Sequence, residues 1–219
     1  MVTVAEGVKR IIERSRYLQE ALEKELINIS SLARYIKPEL EEMLIKKTSK
    51  SAIIMAVRRV TKKLKPRIAY KNIFKTPPDM IIQSNLVEVT INKSKIPINT
   101  YSDLLKLARS RTEGFFTITE GVFETTIIVS RDLYKDIKTL LKKETIVAEF
   151  YDLCSITVRL PKEAIFIPGV FYFFLKSLAW EGINIIEVVS AYREFTLILE
   201  RKGTNKVFSI LQALFPQSI

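Results

Sequence analysis

Histidine is absent from the 219-residue sequence, and cysteine occurs once. Without histidine the chain has no Ser-His-Asp or Cys-His catalytic machinery and no imidazole ligand for a metal. One cysteine excludes an internal disulfide framework and a thiolate zinc cluster, and so few thiols fit a reducing, cytoplasmic compartment. Glycine occurs six times, without the G-x-x-x-x-G-K-[ST] or G-x-G-x-x-G pattern of a phosphate-binding loop. We therefore expect a protein that is not an enzyme and that needs no cofactor or metal.

Long apolar stretches are missing as well. The most apolar run, residues 164–175, is well short of the roughly 20 residues that span a bilayer, and a Pro-Gly pair interrupts it. The first residues lack an apolar core of signal-peptide length. We expect no membrane or targeting segment, and we assign the apolar run to a buried core.

Positive charge is concentrated in the first third of the sequence. Residues 1–71 hold 17 Lys and Arg against 8 Asp and Glu, whereas residues 72–219 hold 18 against 16. Between Glu42 and Asp79 there are 11 basic residues and no acidic one. This asymmetry favours a surface that faces a polyanion, either nucleic acid or an anionic membrane. A lysine-rich solvated face is the alternative.

The same third has the apolar spacing of helices. A helical pattern covers residues 3–26, and Asn28 and Ser30 are both suitable N-caps for the segment that follows. Pro38 is suited to the first turn of a third helix. The pattern predicts short helices in succession.

A last helix is predicted after Thr48 and Ser49, in the run KSAIIMAVRRVTKKL. Its apolar residues share one face, so we expect that face to pack on the preceding helices while a cationic stripe points outward. The apolar face consists of Ile53, Ala56, Val57, Val60 and Leu64, and the opposite face of Ser51, Met55, Arg58 and Lys62, with Arg59 and Lys65 beside them.

Short helices, a tight turn and an outward cationic helix resemble a helix-turn-helix unit over residues 28–64, followed by a predicted wing strand at 67–74. A basic helix neutralises phosphates on both walls of a major groove while small residues approach the base edges. A three-helix bundle that is structural or docks a protein has the same pattern and stays open. The candidate DNA-binding residues are Lys46, Lys47, Lys50, Ser51, Arg58, Arg59, Lys62 and Lys63.

Pro77 and Pro78 mark a linker at residues 75–84, which ends the helical, basic domain 1–74. Beyond it, strands and helices recur in one order, and TIIV at 126–129 matches TLIL at 196–199 with a shift of 70 residues. This predicts two ferredoxin-like βαββαβ repeats, 85–151 and 152–219, each an antiparallel sheet with both helices on one face. The predicted strands are 85–91, 115–121, 123–129, 145–151, 154–160, 183–192 and 195–201, and the predicted helices are 100–110, 132–141, 169–182 and 204–215.

The second repeat carries IPGV at 167–170, Phe173 and Phe174, LA at 178–179, EGINI at 181–185 and Ser190. These residues resemble the ACT domain, most closely the regulatory pair that follows the catalytic domain in aspartokinases. The resemblance covers about residues 153–215, whereas the first repeat, about 85–150, resembles it only in the order of its elements. It implies a small-molecule sensor, typically of amino acids, that works in pairs, so we expect a homodimer.

In that family the ligand commonly sits where the first strand turns into the first helix, against a neighbouring copy. The resemblance therefore implies ligand-binding residues at Ile167, Pro168, Gly169, Val170, Asn184, Ile185 and Ser190. Gly169 would let backbone N–H groups approach a ligand carboxylate, and Asn184 and Ser190 would meet an amino group or side chain. Alternatively, Gly169 only permits the turn and Asn184 only caps a loop.

Two departures from the family concern the ligand. The loop LPKEAIFI before Pro168 is longer and more apolar than the family's usual turn, and the first repeat has no Pro-Gly at 93–99. The ligand is therefore an amino acid, an apolar or differently placed compound, or absent. Cys154 lies in a predicted strand, which favours a buried thiol over a nucleophile.

The expected fold class is thus α+β, with a helix-turn-helix-like domain before two ACT-type repeats. The function that follows is a cytoplasmic, ligand-responsive DNA-binding transcriptional regulator, with DNA and a small-molecule effector as partners and no membrane. The alternative is a non-catalytic regulatory or scaffold protein that binds a partner enzyme without binding DNA.

Overall fold

The computed structural model divides the chain into two compact units, Met1–Arg67 and Ile68–Ile219. The first unit is built from helices and the second from an antiparallel sheet with helices, in agreement with the mixed α and β content expected from the sequence. The residues that the structure describes are 2–63, 73–74, 76–92, 97–110 and 114–215.

Over residues 2–63 the helical unit consists of α1 (Val4–Arg14), α2 (Arg16–Glu23), α3 (Ile29–Leu44) and α4 (Lys50–Lys63). A capping box starts α1, because the Thr3 hydroxyl accepts from the N–H of Glu6 while the Glu6 carboxylate accepts from the N–H of Thr3. The helical pattern over residues 3–26 is interrupted at Ser15, whose extended backbone separates α1 from α2.

Asn28 is the N-cap of α3, since its side-chain oxygen accepts from the N–H of Ser31 at 3.0 Å. Ser30, the other candidate cap, lies inside the helix. The prediction that Pro38 begins a new helix is wrong, because Pro38 lies in the middle of α3. Ile36 and Leu40, on either side of it, are 1% and 0% exposed. Burial of this face keeps the helix continuous although proline removes one backbone hydrogen bond.

One apolar core joins α1, α2, α3 and α4. Gly7 lies where α1 approaches α3: a Cβ atom at this position would be 2.5 Å from Cδ1 of Leu40. The buried residues of this core are Val8, Ile11, Ile12, Leu18, Leu22, Leu32, Ala33, Ile36, Leu40, Ile53, Ala56 and Val57.

The order strand–helix–strand–strand–helix occurs twice in the α/β unit, as the repeat predicted. The first set is β1 (Met80–Asn92), α5 (Ile98–Arg109), β2 (Phe116–Glu120), β3 (Glu124–Ser130) and α6 (Tyr134–Leu140). The second set is β4 (Ile146–Arg159), α7 (Val170–Trp180), β5 (Glu187–Ala191), β6 (Glu194–Glu200) and α8 (Thr204–Ala213).

The prediction that each repeat forms its own sheet is wrong, because all six strands belong to one sheet of order β2-β3-β1-β4-β6-β5. The long strands β1 and β4 pair antiparallel at its centre. The sets β2-β3-β1-β4 and β1-β4-β6-β5 each have the strand arrangement of a ferredoxin-like unit. Each central strand therefore serves both halves of the sheet.

Two sequence predictions are wrong because β1 and β4 are longer than the local pattern indicates. The strands expected at 145–151 and 154–160 are one strand, β4, and the linker expected at 75–84 is β-strand from Met80 onward. Asn85 and Asp152 adopt left-handed backbone conformations, with φ of 58° and 55°, at irregularities that let each strand continue. Met80–Gln83 pair with residues 155–158 of β4, a long-range contact that the local sequence does not reveal.

The helices α5, α6, α7 and α8 lie on one face of the sheet. Leu86 and Leu153 are directly paired across β1 and β4, so both point to the same face, and their neighbours Val87 and Cys154 point to the other. Val87 packs with α5 and α6, and Cys154 packs with α7 and α8. The face opposite the helices has its own small core of Leu86, Ile128, Leu153 and Ile198.

The two halves repeat even in side-chain contacts on this opposite face. Thr90 and Thr126 are hydrogen-bonded through their hydroxyls at 3.0 Å. Thr157 and Thr196 make the corresponding contact at 2.8 Å. The repetition detected in the sequence therefore extends to the packing of the sheet.

The predicted wing strand at 67–74 lies largely outside the described residues. Its last two residues, Ile73 and Phe74, are not in a strand. Phe74 is 5% exposed and packs edge-on against Phe215, with ring centroids 4.9 Å apart. Although the predicted helical domain ran to residue 74, Phe74 belongs to the core of the α/β unit.

Candidate functional site

Helix α4 is amphipathic, as the sequence predicted. Its buried face packs in the core formed with α1 and α3, and its opposite face is exposed. Leu64 and Lys65, assigned to this helix from the sequence, lie outside the described residues. Ile53, Ala56 and Val57 are buried and Val60 is half-buried, whereas Ser51, Met55, Arg58, Arg59 and Lys62 are exposed.

The turn from α3 to α4 is held by hydrogen bonds at both ends. The N–H of Thr48 donates to Oε1 of Glu41 at 2.7 Å, and the N–H of Ala52 donates to the Ser49 hydroxyl at 3.2 Å. Ile45 ends α3 in the left-handed conformation, with φ of 51°. The turn is therefore bonded to α3 through Glu41 and caps the start of α4 through Ser49.

The structure brings the eight candidate DNA-binding residues to this turn and helix, and all eight are exposed. We call them the α4 surface: Lys46, Lys47, Lys50, Ser51, Arg58, Arg59, Lys62 and Lys63.

The ion pairs described in the helical unit lie outside the α4 surface, although the Glu41 carboxylate reaches the turn at the N–H of Thr48. Acidic side chains pair with basic ones on α1, α2 and α3, as Glu39 does with Arg14 and Glu41 does with Lys37. Among the described residues, no acidic side chain forms an ion pair with a cation of the α4 surface. The seven positive charges of this surface therefore lack a described partner and are available to a polyanion.

A cavity of about 590 Å³ lies where β4 turns into α7. It is bounded by the 3-10 helix Lys162–Phe166, by the start of α7 and by the end of β5. We call it the α7 cavity, and its lining residues are Leu160, Ala164, Ile165, Ile167, Gly169, Val170, Phe171, Tyr172, Ser190, Ala191 and Tyr192.

Gly169 fixes the geometry of this corner. Its φ of 89° lies in the region that favours glycine, and it is the N-cap of α7 without a side-chain hydrogen bond to the first turn. The backbone can therefore turn from the loop directly into α7 at the wall of the cavity.

Four of the seven candidate ligand-binding residues line the α7 cavity: Ile167, Gly169, Val170 and Ser190. Pro168 lies in the turn between two lining residues but is not part of the lining. Asn184 and Ile185 follow the C-terminal end of α7, an 11-residue helix, and so lie roughly 15 Å away along its axis. Ile185 packs instead against the core beneath α7 and α8.

Sequence reasoning missed seven lining residues, although two signals pointed to them. The unusually apolar loop contributes Leu160, Ala164 and Ile165, and the aromatic start of α7 contributes Phe171 and Tyr172. Ala191 and Tyr192 come from the hairpin between β5 and β6, which meets this loop only in the folded sheet.

A second, charged cleft of about 810 Å³ adjoins the cavity and shares Ile167 with it. Arg159, Arg193, Asp79 and Glu163 lie on its walls. Arg159 is 3.8 Å from Asp79, and Nε of Arg193 donates to the carbonyl of Leu160 at 3.0 Å. Charged side chains thus line this cleft and not the α7 cavity.

The sequence predicts that Cys154 is a buried thiol, and this prediction is confirmed. Cys154 is buried, and its burial raises the pKa of the thiol. Within the described ranges, the side chains form no cluster of three or more potential metal ligands. The helices of those ranges are also too short or too polar to cross a membrane.

No protein-family model matches this sequence, and neither does any curated protein. Solved structures do match its fold, and they include regulatory subunits of aspartate kinases. The regulatory subunit of aspartate kinase from Thermus thermophilus superposes with a TM-score of 0.52 at 11% identity, over 65% of this chain and 100% of that one. The corresponding subunit from Thermus flavus gives 0.51 at 10% identity, over 64% and 100%.

The aspartate kinase of Clostridium acetobutylicum is similar as well, with a TM-score of 0.53 at 14% identity. The match covers 65% of this chain but only 35% of the kinase, so it spans about a third of that protein. The α/β unit, Ile68–Ile219, is large enough to contain the 65% of this chain that matches. The similarity supports the ferredoxin-like, regulatory-domain fold that the ACT resemblance implied, but not two repeats that each form a sheet.

Proposed function

We propose that this protein is a non-catalytic, ligand-responsive regulator of transcription. The α4 surface would bind DNA, and the α7 cavity would bind a small molecule. The observation that carries the proposal is the α4 surface, where seven exposed cations without a described acidic partner lie on one helix and the turn before it.

The dimensions of α4 suit a major groove. A helix of 14 residues is about 21 Å long, and a B-DNA major groove about 12 Å wide admits an α-helix. Arg58 and Lys62 on the central stripe, with Arg59 and Lys63 beside them, would contact phosphates, and Ser51 would approach base edges. A homodimer would present α4 twice and would read two half-sites about 34 Å apart.

The sensing half of the proposal is supported by the fold and by the cavity. The similar structures are regulatory subunits, and the α7 cavity lies at the strand-to-helix corner that the ACT resemblance implied. Its volume is within the usual range for small-molecule sites. If a ligand changes the affinity for DNA, DNA must change the affinity for the ligand by the same factor.

Fluorescence anisotropy with labelled genomic fragments across a salt series tests the DNA half. Neutralising seven phosphates predicts a slope of about −6 in log K against log salt concentration. Arg58→Glu with Lys62→Glu should weaken binding and flatten the slope by about 2, because two phosphate contacts are lost.

The matched control is Lys135→Glu with Lys142→Glu, which makes the same change in net charge on exposed residues of the α/β unit. The control should bind nearly as well as the wild type. An equal loss of DNA affinity in both double variants would show that the effect comes from net charge and not from the α4 surface. Absence of DNA binding at low salt, together with retention of a partner enzyme, would favour the regulatory or scaffold alternative.

A further inference from the structure

We propose that the α7 cavity selects an aromatic ligand that lacks an ammonium group, and that it therefore discriminates against amino acids. This inference rests on the proposed sensing function and specifies the chemical class of its ligand. It departs from the amino acid that the ACT resemblance implies.

The lining of the cavity carries no formal charge. All of its residues fall within the described range 160–192, and none is Asp, Glu, Lys or Arg. An amino acid bound here would bring an ammonium group into a site without a carboxylate to pair with it. The apolar lining would displace part of the water around the ammonium group, and no carboxylate of the lining would offset that cost.

The carboxylate of the adjoining loop does not supply this partner. Glu163 belongs to the same 3-10 helix that bounds the α7 cavity, but it lines the neighbouring charged cleft. Arg159 and Arg193 line that cleft too. The loop thus directs its apolar residues, such as Ala164 and Ile165, into one cavity and its carboxylate into the other.

The groups that remain suit a ring compound. Phe171, Tyr172 and Tyr192 are 45%, 39% and 67% exposed. Although Phe171 stacks on Phe195 and the Lys176 ammonium lies 5.6 Å from the centre of the Tyr172 ring, each of the three rings keeps surface that a flat ligand would cover. Ser190 and the two tyrosine hydroxyls supply side-chain hydrogen-bonding groups. A mostly apolar lining with a few hydroxyls is typical of sites for neutral or weakly polar ligands.

Three fluorinated probes of one ring system test the inference: 5-fluoroindole, 5-fluoroindole-3-propionate and 5-fluoro-L-tryptophan. They carry no charge, a carboxylate alone, and a carboxylate with an ammonium group. Binding to the full chain is followed by fluorine NMR, which does not depend on the protein's own fluorescence. We expect at least one of the first two probes to bind ten or more times more tightly than 5-fluoro-L-tryptophan.

A charge placed in the lining should reverse this preference. Ser190→Asp adds a carboxylate, so it should raise the affinity for 5-fluoro-L-tryptophan about fivefold and lower that for 5-fluoroindole-3-propionate. Ser209→Asp, the same change on an exposed position of α8, should alter neither affinity.

Two contrary results have different meanings. If 5-fluoro-L-tryptophan binds the wild type as tightly as the other probes or more tightly, the selectivity is wrong while the sensing site stands. If none of the probes binds at millimolar concentration, both the ligand class and the sensing function of the cavity are wrong. A shift in preference that Ser209→Asp reproduces would place binding elsewhere.

Discussion

Glu88 is a carboxylic acid buried on the sheet face opposite the helices, and its protonation should control the stability of the α/β unit. Its side chain is 4% exposed, and Oε2 has no hydrogen-bond partner among the described residues. Burial, and secondly the charge of Glu187, raise the pKa of Glu88 from 4.5 to about 7. A buried carboxyl without a partner is more stable protonated than ionised.

The direction of the pH effect follows from this raised pKa. Between pH 4.5 and 7 the folded chain keeps a proton on Glu88 that the unfolded chain has released, so the free energy of unfolding falls as pH rises. The loss levels off about one pH unit above the folded-state pKa of about 7. A shift from 4.5 to about 7 corresponds to about 3 kcal/mol at most.

Glu88→Gln removes the titration while keeping the shape of the side chain. The amide has its own cost of burial, but that cost is the same at every pH. Relative to wild type, the variant should therefore gain up to about 3 kcal/mol between pH 4.5 and pH 8. Glu187→Gln removes only the smaller cause, so it should flatten the pH dependence less.

Urea unfolding from pH 4.5 to 8.5 measures this difference. Near-ultraviolet circular dichroism reports on the α/β unit, because its buried aromatic rings, such as Tyr134 against Tyr151, lose their fixed packing on unfolding. The reasoning is refuted if the difference between wild type and Glu88→Gln is the same at pH 4.5 and pH 8.

Three substitutions test the packing and the helix ends. Ile45→Gly should raise the free energy of unfolding of the helical unit by about 1 kcal/mol, because a β-branched residue is strained at φ of 51°. Circular dichroism during urea unfolding measures this change, and a lower free energy of unfolding would contradict the prediction. Asn28→Ala should lower the free energy of unfolding of the helical unit by about 1 kcal/mol in the same assay, because the N–H of Ser31 loses its capping acceptor. An unchanged unfolding midpoint would show that this cap does not stabilise the unit. Phe174→Ala should cost about 3–5 kcal/mol in the near-ultraviolet assay, because Phe174 lies on the buried face of α7 and is 0% exposed. A cost below about 1 kcal/mol would show that this core is loosely packed.

Local patterns predicted the elements of this protein better than their connections. The spacing of Ile53, Ala56 and Val57 is sufficient to orient α4, because a helix face depends only on residues three and four apart. The single sheet was missed because its centre is formed by pairing β1 with β4, about 70 residues away along the chain. The left-handed turns at Asn85 and Asp152, which make that pairing continuous, carry no glycine signal.

For the α7 cavity, too, the local motif was predicted and the contacts between distant segments were not. The resemblance located the strand-to-helix corner, and Gly169 adopts the conformation that only glycine takes easily. Asn184 was included because it belongs to the family motif, but the length of α7 separates it from the corner. Tyr192 was missed because the β5–β6 hairpin reaches the cavity only through sheet pairing.

Lysine-reactivity footprinting of the full chain with and without a DNA fragment tests the central claim most directly. If the α4 surface binds DNA, Lys46, Lys47, Lys50, Lys62 and Lys63 should become protected, while the exposed Lys135 and Lys142 of the α/β unit should react as before. Equal protection of both groups, or protection of the α/β lysines alone, would contradict the assignment of DNA binding to this surface.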